Sequence, residues 1–274
     1  MPTERFSTHG VELSWEAWGS GGECPLVLCH GFTGSTVDFS LQVEALAATR
    51  RVIALDQRGH GLSTKVGTTG GYSIDHLSDD LIAFIEHVGG GEPVDLLGHS
   101  MGGRVVLGVA LARPDLIHSL ILMDTSAWGF KPDDVALRDL MVGFITAYDP
   151  ATGPPALNLR NPEDELIDAA TPEEWRRTRE GLMGGTDPYA FKALGMQLLD
   201  EQAMSVRDRL SEILCPVTVL VGEHDHPLVE QAPELAAELK DSELVVIEGA
   251  YHSPQLTHAE RWRGALEAHL ARTA

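Results

Sequence analysis

Apolar positions along the chain follow two alternating rhythms. Short continuous apolar runs at 25–29, 51–55, 94–98, 120–124, 217–221 and 243–247 have strand length without polar alternation. That pattern suits parallel strands buried on both faces. Residues Val11-Glu12-Leu13-Ser14-Trp15-Glu16-Ala17-Trp18 alternate instead, which predicts a half-exposed antiparallel strand. Helical spacing fills the intervals. From Ser73 onward, Leu77, Leu81, Ile85 and Val88 share one face, while Asp79, Asp80 and Glu86 fall on others. Residues 101–112 are apolar almost all round, as a buried helix would be. A helix is expected over 229–239, and in a last one Trp262, Leu266 and Leu270 recur every four residues. Alternating β and α segments specify a mostly parallel sheet with helices on both faces.

The stretch 126–204 breaks this rhythm and offers no convincing strand. It carries helix starts instead. Thr171-Pro172-Glu173-Glu174 reads as a capping box with proline at the first helical position, and Asp187-Pro188 repeats the cap-plus-proline device. Trp128, Met141, Phe144, Trp175 and Phe191 give it apolar material. It is expected to be a helical cap over the C-terminal edge of the sheet, where open α/β sheets bind ligands. The division follows: a first part of the core at 1–125, the cap at 126–204, and the rest of the core at 205–274.

Composition narrows the partners. The 274 residues hold 41 Asp and Glu against 20 Lys and Arg, a net charge of -21. No basic stripe is available for nucleic acid. No apolar stretch reaches transmembrane length, and residues 1–10 lack a signal-peptide core, so a cytoplasmic protein without a membrane partner is expected. Cys24, Cys29 and Cys215 have no metal-ligand spacing; Cys29 and Cys215 adjoin apolar runs and are expected as buried thiols.

The chemistry centres on Gly98-His99-Ser100-Met101-Gly102, a G-x-S-x-G between an expected strand and an expected helix. Such a turn strains the serine backbone and holds its hydroxyl clear of the sheet. A serine hydroxyl needs a base, and the base needs a third group to orient it. Asp225 follows the run 217–221 and His252 follows the run 243–247, so both sit on loops at the same sheet edge as Ser100. Glu223 and Asp124 also follow strands and remain alternatives for the acid. His224 and His226 flank Asp225, but no further ligands stand at usual zinc spacing, so no metal is expected. The loop His30-Gly31-Phe32-Thr33-Gly34-Ser35 follows the run 25–29. It can aim the Phe32 N–H, beside that of Met101, at a developing oxyanion. A nucleotide site is not supported, because no Gly-Lys-Ser/Thr follows a glycine loop.

Four blocks carry a resemblance over nearly the whole chain. They are His30-Gly31-Phe32, Asp56-Gln57-Arg58-Gly59-His60-Gly61-Leu62-Ser63, Gly98-His99-Ser100-Met101-Gly102-Gly103, and Gly222-Glu223-His224-Asp225 with the late His252. In these the chain resembles the α/β-hydrolase superfamily, on its serine esterase and lyase branch. The resemblance implies Ser100 as nucleophile, His252 as base, Asp225 as its orienter, and Phe32 and Met101 as the oxyanion hole. It implies no cofactor, and a small-molecule ester with water as the reactants. Relatives that open epoxides or carbon–halogen bonds place aspartate where Ser100 stands. Tyr251 departs from the Ala-Gly often found before the histidine.

The expected activity is carboxylic ester hydrolysis through an acyl-enzyme, with Trp128, Phe144, Arg104 and Tyr251 as candidate pocket residues. Arg104 resembles its counterpart in menaquinone-pathway lyases, where it would meet a substrate carboxylate; pairing with an acid on the helix surface is the other reading. A lyase or carbon–carbon hydrolase using the same three residues, and a ligand receptor on this fold, remain as alternatives.

Overall fold

The structure, a computed structural model, describes residues 3–22, 24–129, 135–148, 160–200 and 205–273. The apolar runs become β3 (Leu26–Cys29), β4 (Val52–Asp56), β5 (Val94–His99), β6 (Ile117–Met123), β7 (Val217–Gly222) and β8 (Ser242–Ile247). Preceding them are β1 (Glu4–Thr8) and β2 (Val11–Trp18). All eight form one sheet in the order β1-β2-β4-β3-β5-β6-β7-β8. The pairs β1–β2 and β2–β4 are antiparallel, and every pairing from β4 to β8 is parallel.

Register decides where the strands end. Cys29 pairs with Leu55 and with Gly98, His99 with Met123, Met123 with Leu220, and Gly222 with Ile247. The loops that follow β3, β5, β6, β7 and β8 therefore leave the sheet side by side. Strand alternation supplies a core on each face. Val27, Cys29, Ile53 and Leu96 join one apolar cluster, while Leu26, Leu28, Val52 and Leu97 join the other.

Ten helices are described. In the core they are α1 (Val43–Leu46), α2 (Ile74–Gly89), α3 (Met101–Ala112), α8 (Leu228–Glu238), α9 (Pro254–Thr257) and α10 (Ala259–Arg272). Between β6 and β7 lie α4 (Val135–Ala147), α5 (Pro162–Ala170), α6 (Glu173–Gly184) and α7 (Pro188–Leu199), and no strand is described there. These four helices fall within 126–204, the stretch expected to form a helical cap; its last residue, 204, lies outside the described residues.

Ser73 caps α2 through its hydroxyl, which accepts from the His76 N–H at 3.1 Å, and Leu77, Leu81, Ile85 and Val88 are buried as the spacing predicts. Asp80 departs from the expectation of a solvated face. It is buried, and Arg58 grips both its oxygens at 2.6 Å. The capping box also moves. Thr171 ends α5, its hydroxyl donating back to the Ile167 carbonyl, and Pro172 stands at the N-cap of α6 without a side-chain bond. The reciprocal pair belongs to Asn161 and Asp164 at the start of α5. Asp187 does cap α7, accepting from the Tyr189 N–H at 2.9 Å.

The cap is tied to the core by polar contacts. Trp175 donates to the Ser40 hydroxyl at 2.8 Å, and Arg179 pairs with Asp38 at 2.7 Å. Tyr72 donates to the Asp187 carboxylate. Among the described residues, no helix is long and apolar enough to cross a membrane.

Candidate active site

Ser100 occupies the turn between β5 and α3 with a φ of 53° and a ψ of -119°, a backbone conformation that L residues rarely hold. Small neighbours permit it. A Cβ on Gly98 would stand 2.5 Å from the Gly102 carbonyl oxygen, and one on Gly102 would stand 2.4 Å from that of Cys29. The strand and helix can meet this closely only without those side chains. Ser100 thus lies at the head of a buried helix, on the sheet edge where the other loops emerge.

The β7 and β8 loops bring the next two candidates together. His252 Nδ1 and Asp225 Oδ2 are 2.8 Å apart. A carboxylate beside that nitrogen holds the proton on Nδ1 and leaves Nε2 as the basic atom. Burial opposes charge on the imidazole, but the carboxylates of Asp225 and Glu163 outweigh it and raise its pKa above the usual value. Glu223 stands apart, accepting from the Gly249 N–H at 2.8 Å. Asp124 is fully buried at the end of β6, where one oxygen accepts from the Gly222 N–H at 2.8 Å. Asp124, Asp225 and His252 each bring a polar atom within 4.8 Å of the others. Burial first, then the Asp225 charge, hold the Asp124 carboxyl well above the usual carboxylate range.

His99, inside the elbow, is a positioning group that sequence reasoning did not single out. A carbonyl only accepts, so the 2.7 Å contact makes His99 Nε2 the donor to the His252 carbonyl oxygen. Burial pushes the His99 imidazole down to about 3, so it keeps this role as a neutral ring. His224 lies against the Tyr251 ring, and His226 bonds Glu230, so neither joins the cluster.

The loop after β3 presses on the serine. A Cβ on Gly31 would be 3.1 Å from that of Ser100. His30 braces this loop: its Nδ1 donates to the Gly31 carbonyl at 2.8 Å, and its Nε2 accepts from the Gln57 N–H at 3.0 Å. Asp56 adds a second brace by accepting from the N–H groups of Thr36 and Leu62 at 2.7 and 2.8 Å. The Asp56–Ser63 block, recognised as a motif in the sequence, is therefore a buttress for the loop that carries Phe32.

Phe32, Ser100, Met101, Asp225 and His252 all line one cavity of about 380 Å³. Its apolar wall comes from the cap and from the loop after β7, chiefly Met141, Ile145, Leu198, Leu199 and Leu228. Arg104 lines it too and departs from the expected pairing with a surface acid. It is buried, its Nη2 donates to the Ser126 hydroxyl and the Trp128 carbonyl, and its Nη1 has no partner. Among the described residues no carboxylate meets it, and burial lowers the guanidinium to about 10.

Comparison with known proteins agrees with this architecture. The family described as alpha/beta hydrolase fold matches residues 25–259. The chain belongs to that family. It is 30% identical over 94% of its length to a dihydrolipoyllysine-residue acetyltransferase component of an acetoin cleaving system from Pseudomonas putida. It spans 66% of that protein's length. It is 28% identical to the (E)-2-((N-methylformamido)methylene)succinate hydrolase of Acinetobacter baylyi, covering 91% of each. Among solved structures, a thermophilic esterase from Thermogutta terrifontis superposes with a TM-score of 0.76 at 26% identity, covering 100% of this chain and 99% of that one.

Three of the expected pocket residues do not line this hydrolase's cavity. The Trp128 ring packs under the Arg207 guanidinium, 5.1 Å from its centroid. Phe144 packs edge-on to Phe191 inside the cap, and Tyr251 lies against His224. The lining residues Met141 and Ile145 are four apart on α4, a signal the sequence carried without saying which face would turn inward.

Proposed function

We propose that this alpha/beta hydrolase is a serine carboxylesterase acting on esters with small to medium acyl groups. The observation that carries the reading is the 2.8 Å bond between His252 and Asp225, facing the same cavity as a serine held at a φ of 53°. Ser100 Oγ attacks the ester carbonyl while His252 Nε2 takes its proton. The negative charge passes to the carbonyl oxygen, held by the N–H groups of Phe32 and Met101. Collapse breaks the bond to the alcohol, which receives the proton from His252 and leaves an acyl group on Ser100. Water, deprotonated by His252, then attacks that acyl group and releases the acid. Met141, Ile145, Leu198 and Leu199 of the cap helices supply the apolar wall for the acyl chain.

A second reading draws on Arg104. An unpaired, buried guanidinium N–H beside apolar side chains favours a substrate that carries its own carboxylate. The name of the Acinetobacter relative describes a succinate derivative, hence a dicarboxylate, and that parallel supports the same idea here. A lyase or carbon–carbon hydrolase acting on such a substrate would use the three residues for proton transfer.

A panel of neutral and carboxylate-bearing esters separates these readings. Ser100→Ala should lose nearly all p-nitrophenyl butyrate turnover, by at least about 10³-fold, while remaining folded. If the second reading holds, Arg104→Met should raise KM for a carboxylate-bearing substrate by about 10- to 100-fold and leave neutral esters unaffected. Retained turnover in Ser100→Ala would refute the assignment.

A further inference from the structure

Helix α5 lies in the cap, yet its second residue reaches the loop that bears His252. Glu163 is buried, and its Oε1 accepts from the Ser253 N–H at 2.5 Å. Asn161, two residues before it, and Asp164, one after, close a reciprocal capping box that fixes the first turn of α5. A carboxylate withdrawn from water is costly unless hydrogen bonds and opposite charge offset the loss. One backbone N–H is a partial offset. The Ser253 hydroxyl adds a further one, and the neighbouring imidazole supplies the largest opposing charge when it becomes cationic.

We propose that Glu163 is a positioning residue of this site, holding the His252 loop from the cap and stabilising the imidazolium that forms when Ser100 gives up its proton. The idea rests on the esterase reading above. The groups that face His252 are few and of known sign. Asp225 from the β7 loop carries the partner carboxylate. Asp124 at the end of β6 is pushed toward its neutral form by burial and by Asp225. His99 from β5 is neutral and donates to the His252 carbonyl. Behind it, Asp38 is neutralised by Arg179. Glu163 is the negative charge that the cap adds to this set, and it acts to keep protons on His252.

The neutral imidazole that takes the Ser100 proton becomes an imidazolium in the transition state, so a charge that favours it lowers the barrier of that form more than it tightens substrate binding. Burial and the Asp225 charge make Glu163 itself easier to protonate, while His252 and the Ser253 N–H oppose this; burial wins, and its carboxyl is raised. The first turn of α5, rich in Glu163, Asp164 and Glu165, places that carboxylate at the positive end of a helix of nine residues.

The test compares the full chain with Glu163→Gln and Glu163→Ala, reading kcat and KM for p-nitrophenyl butyrate from pH 5 to 9, with melting temperature alongside. Glutamine keeps an oxygen for the Ser253 N–H and removes the charge. The acid limb of kcat/KM should move to lower pH by about half to one unit. The plateau kcat should fall about 3- to 10-fold, with KM little changed. Alanine also frees the loop and should cost about 10- to 100-fold in kcat. In parallel, NMR titration of the His252 imidazole, assigned by its loss in His252→Gln, should show the same downward shift without any substrate. Lower melting temperatures with an unmoved acid limb and an unmoved His252 titration would overturn the proposal. Absence of Ser100-dependent turnover in the wild type would instead remove the esterase reading, and the NMR titration would still decide whether Glu163 acts on His252.

Discussion

Asp124 shows how one buried carboxyl ties stability to the site. Its φ of 47° turns the chain at the end of β6, and one oxygen is spent on the Gly222 N–H that opens the loop to Asp225. The other oxygen has no hydrogen-bond partner. Burial, and after it the Asp225 charge, raise this carboxyl well above the usual carboxylate range. The sign of the linkage follows: a folded-state pKa above the unfolded value contributes stability in full below the unfolded value, lost as pH rises through the folded one. Asparagine keeps an acceptor for Gly222 and cannot ionise. Relative to Asp124→Asn, wild type should therefore lose up to about 1.4 kcal/mol per pH unit between the unfolded value and the raised folded one and level off above it, measured by urea unfolding between pH 5 and pH 9. Parallel stability curves for the two proteins would contradict this. At this scale the sequence was legible where chemistry demands a residue type and opaque where burial decides. Ser100, Asp225 and His252 could be named from their loops, whereas Asp124 remained one of several acids and Glu163 one glutamate in an acidic stretch.

Elements were readable in proportion to how strongly one face is buried. β3 to β7 each lie between two other strands, so their apolar runs stood out, with ends displaced by a few residues at most; β8 is an edge strand whose Leu244 and Val246 are exposed, so its apolar run did not mean burial on both faces. β1 was not foreseen because Glu4-Arg5-Phe6-Ser7-Thr8 is an outer strand with exposed Glu4, Arg5 and Ser7, anchored by Phe6 against Phe84 and His87. On α2 the apolar stripe was right, but Asp80 sits buried because Arg58 reaches it from the loop after β4. The two side chains are 6% and 3% exposed, so neither charge can find water if the other is removed. Asp80→Ala should therefore destabilise the fold by about 3–5 kcal/mol, read from the denaturation midpoint at constant slope. A loss under about 1 kcal/mol would mean that the pair is solvated. Of the two caps expected in 126–204, Asp187 holds its place, whereas Thr171-Pro172-Glu173-Glu174 has the letters of a capping box but the threonine hydroxyl turns back onto α5.

Across the whole molecule, the parallel register aligns the strand ends, and the cap closes over the edge where the loops from β3, β5, β6, β7 and β8 meet. The family and the order of its blocks were visible in the sequence because they rest on contiguous motifs. The cavity wall was not, since it depends on the rotation of cap helices about their own axes. That rotation turns Met141, Ile145 and Leu198 inward and leaves Phe144 to pack on Phe191. Arg104, on α3 in the core, also lines the cavity, and among the described residues its Nη1 has no partner, where the sequence suggests a surface acid.

The central claim is that His252, oriented by Asp225, activates Ser100. Mass spectrometry of the protein treated with diethyl p-nitrophenyl phosphate tests it most directly, because the reagent phosphorylates an activated serine and records which one. A single adduct on the peptide containing Ser100 is expected, forming more slowly below the raised His252 pKa. In His252→Ala it should form at least about 10³-fold more slowly. An adduct on another residue, or an undiminished rate in His252→Ala, would contradict it.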